Sequence, residues 1–104
     1  MGITVLWSDS AIVELQAVYD YLLSTANFKV AQKLVNSIVD KSILLTANPR
    51  MGQLEELLKH RKDEIRYLVE GNYKIVYKIE EPIVVIATLF DFRQNPKKLA
   101  GKHI

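Results

Sequence analysis

The chain contains no cysteine, which excludes disulfides, thiolate metal sites and a cysteine nucleophile. It has no apolar run approaching the ~18 residues of a membrane span. Its opening, MGITVLWSDS, lacks the basic and apolar regions of a secretory signal, so a cytoplasmic protein is expected. Glycines number only four and never form a phosphate-cradling loop. The two histidines, His60 and His103, lie in polar stretches without metal-ligand spacing, so no metal and no cofactor is expected. What is present is ordinary: 49% apolar and 25% charged residues in a chain of 104. That is the balance of one folded domain spanning residues 1–104, too small to enclose a large substrate. Its activity should reside on a surface.

The net charge of +2 does not announce a nucleic-acid binder, but its distribution is uneven. Residues 1–48 sum to −1 and residues 49–104 to +3. Arg93, Lys97, Lys98 and Lys102 face Asp91 alone in the last stretch, which reads as a basic C-terminal tail from about residue 93 to residue 104. An acidic partner would meet the protein there.

Alternation at Ile3, Val5 and Trp7 predicts a short strand, after which Ser8 or Ser10 can cap a helix. Ile12, Leu15, Tyr19 and Leu22 form one helical stripe, and Ala31, Leu34, Val35, Ile38 and Leu45 form another. Ser24–Asn27 separates them, and Asn48-Pro49 stops the second. So short a break predicts an antiparallel helical hairpin. Pro49–Glu64 is polar and aperiodic, with Glu55 and Glu56 expected on a solvated turn. The period then changes to two, predicting strands at Ile65–Glu70, Tyr73–Glu80 and Ile83–Phe90, joined by Gly71-Asn72 and Glu81-Pro82. The order is β-α-α-β-β-β. It describes an α+β fold, an antiparallel sheet with a helical hairpin packed on one face.

Tyr73, Ile75, Tyr77 and Ile79 share one strand face, assigned to the helices. Ile83–Phe90 is apolar on both sides, so that strand should be central. Two helices cover one face only. The other should be an open docking surface mixing Leu68, Val76 and Phe90 with Arg66, Lys74 and Lys78, unless the polar loop 49–64 folds over it. Arg61, Arg93, Lys97 and Lys98 extend this candidate partner-binding set. For chemistry, metal-free phosphodiester cleavage needs cations against the charged transition state, which Arg66, Lys74 and Arg93 can supply. It also needs proton-transfer groups, for which His60 and His103 are weak candidates.

Four stretches in order, VLWSDSAIVELQAVYDYL, the helix end LLTANPRMG, RYLVEGNYKIVYKI and VVIATLFDFRQNPKKL, resemble the RelE/ParE superfamily of toxins from bacterial type II toxin–antitoxin systems. The resemblance covers about 90 residues, and the long hairpin with Asn48, Pro49 and Gly52 looks more like the ParE branch. It implies a small antitoxin whose C-terminal segment wraps the toxin, and DNA gyrase as the target. The RelE branch implies instead a ribosome-dependent mRNA endonuclease using Arg66, Lys74 and Arg93, with the ribosome and mRNA as partners. Strand Ile65–Glu70 departs from that branch in lacking its lysine pair, and Leu99 stands roughly where its terminal tyrosine would be. A third reading is a non-toxic remnant of the fold that binds only its antitoxin.

Overall fold

The computed structural model describes residues 2–59, 61–102 and 104. Strand β1, Thr4–Trp7, leads straight into helix α1, Asp9–Thr25. The Ser8 hydroxyl accepts the Ala11 N–H at 3.1 Å and donates to the Ala87 carbonyl at 3.0 Å. One side chain therefore caps the helix and ties its start to a distant strand. Helix α2, Phe28–Ile43, begins where Asn27 accepts the Val30 N–H at 2.9 Å. The two helices pack against each other, and Ala11, Ile38 and Leu45 turn inward.

The sheet holds five strands in the order β1-β5-β4-β3-β2, with β2 Gln53–Leu54, β3 Glu64–Glu70, β4 Tyr73–Glu80 and β5 Ile83–Asp91. All neighbours are antiparallel except β1 and β5, which run parallel. The α+β architecture and the three long strands match the sequence reading, and β5 lies inside the sheet as its two apolar faces require. β2 is a correction to the aperiodic loop, for two residues are too few to show a period. Among the described residues Gly71 alone turns with a positive φ, at 59°, in the β3–β4 turn.

Ile75, Tyr77 and Ile79 face the helices, as the alternation predicts, with Val84, Ile86 and Leu89 beside them. Two assignments on the neighbouring strands are corrected. The two-residue turn pairs Glu70 with Tyr73, which carries Leu68 opposite Ile75 and Arg66 opposite Tyr77. Leu68 is therefore core beneath the helices, and Arg66 stands on that side too. On β5 a bulge lets Tyr77 pair with Ile86 while Val76 pairs with Thr88, leaving Ala87 unmatched. The extra residue reverses the alternation, so Leu89 joins Ile86 and Phe90 turns to the other face.

That other face is not the open apolar surface expected. Leu58, Ile65, Val76, Phe90 and Leu99 bury one another there in a second core, flanked by Tyr67 and Ile104. Leu58 comes from a 3-10 turn, Glu56–Leu58, in the polar loop, and Leu99 from a short helix α3, Lys97–Ala100. Arg61 clamps the two covering segments, donating to the Lys102 carbonyl at 2.9 Å. Val76 and Phe90 are thus interior residues rather than docking groups, and the C-terminal tail is packed rather than simply solvated.

Ile38→Ala and Leu99→Ala should each cost about 2–5 kcal/mol, as buried large-to-small changes do. Urea denaturation of the two variants checks this. A cost under ~0.5 kcal/mol for Leu99→Ala would mean that the second core is dispensable.

Candidate interaction surface

Most of the basic residues are already engaged within the chain. Arg66 donates to Glu64 Oε2 at 2.6 Å and to the Gly52 carbonyl at 2.7 Å. Lys74 Nζ reaches Glu55 Oε1 at 2.7 Å and lies 4.2 Å from the centre of the Tyr67 ring. Glu55 is 3% exposed, a correction to the solvated turn expected for it, whereas Glu56 is exposed and pairs with Lys59. Lys78 pairs with Glu80 at 3.2 Å. Arg93 forms a fork on Asp91, with Nε to Oδ1 at 3.0 Å and Nη2 to Oδ2 at 2.6 Å.

The register separates the three cations proposed for cleavage. Arg66 stands on the helix side of the sheet, opposite Tyr77. Lys74 stands on the other side, opposite Phe90. Arg93 follows β5 on the exposed segment before α3. Each carries its own carboxylate, so the three do not converge on one point where a phosphate would sit. His60 and His103 lie outside the described residues. Among the described residues no cluster of metal-ligating side chains occurs, and no helix is long and apolar enough to cross a membrane.

The pairing shifts the titrations. The hydrogen bond from Arg66 holds the Glu64 carboxyl below its ordinary range against a desolvation cost, and Arg50 adds to this. Arg93 does the same for Asp91. Burial pushes the Tyr73 phenol up, and the nearby Asp91 charge pushes it further. The carboxylates Glu55, Glu64 and Asp91, which set the behaviour of this surface, went unremarked as partners in the sequence. Only Asp91, two residues from Arg93, gave a local signal. Glu55 lies 19 residues from Lys74 and meets it through the fold.

Of the candidate partner residues, Arg93, Lys97 and Lys98 remain exposed, together at the end of β5 and on α3. Arg61, Arg66, Lys74 and Lys78 are partly buried, while Leu68, Val76 and Phe90 are interior. Further exposed cations lie elsewhere, Lys29 and Lys33 on α2 and Arg50, Lys59 and Lys62 in the segment between α2 and β3. A helical hairpin laid on a five-stranded sheet is the architecture of a small RelE/ParE-like toxin. The family model described as ParE toxin of type II toxin-antitoxin system, parDE, matches residues 5–96. The chain belongs to that family. A solved structure described as the chromosomal ParDE TA system from P. aeruginosa is similar in fold, with a TM-score of 0.72 and 18% identity. The match covers 86% of this chain and 95% of that one. No curated protein matches the chain in sequence.

Two outcomes test this electrostatic picture. Lys74→Met should strand the buried Glu55 charge and cost about 3 kcal/mol, while Lys74→Met with Glu55→Met should recover most of it. Denaturant titration of the two variants distinguishes them. Glu64 and Asp91 have depressed folded-state values, so the stability they contribute is present above about pH 4.5. It should be lost as pH falls through those lower values. Arg66→Gln should make this acid decline shallower when urea midpoints are compared between neutral and acidic pH.

Proposed function

We propose that this toxin acts by binding its target rather than by chemistry, that the target is DNA gyrase, and that a cognate antitoxin neutralises it. The observation carrying the reading is that Arg66, Lys74 and Arg93 are spread over two faces of the sheet and individually paired with carboxylates. Stabilising a phosphorane-like transition state requires cations aimed at one developing charge, and a carboxylate on each cation cancels much of its field. The family match over residues 5–96 supports the type II toxin class, and the resemblance to the ParE branch supports gyrase. The antitoxin is supported by the same match and by the likeness in fold to a structure described as a ParDE TA system.

The test runs two assays on the purified chain, gyrase supercoiling and ribosome-programmed mRNA cleavage. Inhibition of supercoiling without cleavage is expected. Arg93→Ala should then weaken the gyrase complex by ~1–3 kcal/mol, as loss of an interface arginine does. Lys97→Ala and Lys98→Ala should weaken it less, because exposed lysines hold no fixed geometry. Cleavage in the ribosomal A site that Arg93→Ala abolishes would overturn the proposal in favour of the endonuclease. Inactivity in both assays would favour the antitoxin-binding remnant.

A further inference from the structure

β1 is the outermost strand on its side of the sheet, and only one of its edges is used. The Thr4 N–H donates to the Pro82 carbonyl at 3.0 Å, and the Ser8 N–H to the Ile86 carbonyl at 2.9 Å. Thr4, Leu6 and Ser8 thus turn their backbone groups toward β5, and those of Val5 and Trp7 point outward. No strand among the described residues meets them there. This edge also lacks the usual protection against pairing, for residues 3–8 hold no charged side chain and no proline. The opposite edge differs: β2 is two residues long, and Lys41 Nζ caps the Val69 carbonyl beyond it at 2.8 Å. Apolar surface flanks the free edge on both sides of the sheet. Val5 and Trp7 pack toward the helices, so Leu6 points to the other face, 48% exposed and in register with Val85. On the helix side the 3-10 turn Leu44–Thr46 packs against β1, and Leu44 is 51% exposed.

We propose that two copies of the chain pair through this edge, antiparallel about a two-fold axis, so that their sheets join into one. Symmetry and charge select the occupant. A bare edge is completed by another strand, and an isologous contact completes both copies at once. With Val5 of one copy opposite Val5 of the other, each outward N–H faces an outward carbonyl, and Leu6 stands beside Thr4. The two-fold axis then runs through the sheet, so both Leu6 side chains join one apolar band on one face. The two Leu44 turns approach each other on the opposite face. Because residues 3–8 are uncharged, identical copies meet there without repulsion, and an acidic or polyanionic partner finds no cation along the strand. The inference stands apart from the gyrase and antitoxin readings, since neither uses β1.

Sedimentation velocity on the purified chain, with no other protein present, tests the proposal. A species of twice the 11.9 kDa chain mass should grow in as concentration rises from roughly 1 to 100 µM. Leu6→Lys and Leu44→Lys replace exposed side chains on two different elements, so one remains informative if the other misfolds. Each should raise the dimer dissociation constant at least ~10-fold, with part of the Leu6→Lys loss recovered at high salt. Leu54→Lys, on the opposite edge of the sheet, should dimerise as the wild type does. Hydrogen exchange identifies the edge directly: the Val5 and Trp7 amides should exchange more slowly at the higher concentration. A wild type that stays monomeric throughout overturns the proposal. So does a dimer that both lysine variants leave within about 2-fold of the wild type, or one in which those two amides gain no protection. Protection of the same amides only when the protein of the neighbouring reading frame is added would assign the edge to the antitoxin instead.

Discussion

The Tyr77 hydroxyl holds the helical half of the chain to the sheet. It donates to the Pro49 carbonyl at 2.8 Å and accepts the Gly52 N–H at 3.0 Å, from a side chain with no solvent exposure. Arg66 donates to the Gly52 carbonyl from the neighbouring strand, so the peptide units around Gly52 are held from both sides. A Cβ on Gly52 would lie 2.6 Å from the Tyr67 carbonyl oxygen and 2.6 Å from the Tyr77 hydroxyl. Only glycine lets the chain pass this close to the sheet. From that anchor β2 forms beside β3, and the following residues are delivered to the second face, where Glu55 meets Lys74 and Leu58 enters the second core.

Burying both faces of the sheet answers a problem of size. A domain of about 100 residues covers a limited share of its surface, so a one-sided sheet would leave much apolar area in water. Here two helices cover one face, while a 3-10 turn and a four-residue helix partly cover the other. Those small covers are fastened by polar contacts, Arg61 to the backbone of the last residues and Lys102 to Glu14. The cost is that most cations become structural. Arg93, Lys97 and Lys98 remain exposed where β5 ends and α3 begins, and Lys29, Lys33 and Lys62 remain exposed elsewhere.

The helices, the three long strands and the β3–β4 turn were legible because each repeats a local period or carries a local cap. Ser8, Asn27 and Gly71 act where their types suggest. The faces were less legible. Leu68 and Arg66 were placed on the open side, although the two-residue turn at Gly71-Asn72 already implies their pairing with Ile75 and Tyr77. Phe90 and Leu89 exchanged faces because a bulge at Ala87 adds one residue to β5, and no residue type marks such a bulge in advance. The exposed end, Arg93 with Lys97 and Lys98, was visible as charge. Its neighbours Tyr21 and Tyr73 were not, since they come from other elements.

By itself the sequence determined the element types, the α+β class and the absence of cysteine chemistry, since these follow from composition and from interactions within a few residues. It also carried the ordered pattern by which the chain resembles its superfamily. Tertiary structure decided which cations are spent and which are free, because Lys74 finds Glu55 and Arg66 finds Gly52 only after loop 49–64 folds back. It also decided that the second face is partly covered and that β1 is an outermost strand. Both depend on segments far apart in the chain meeting across one sheet, and no local period encodes such a meeting.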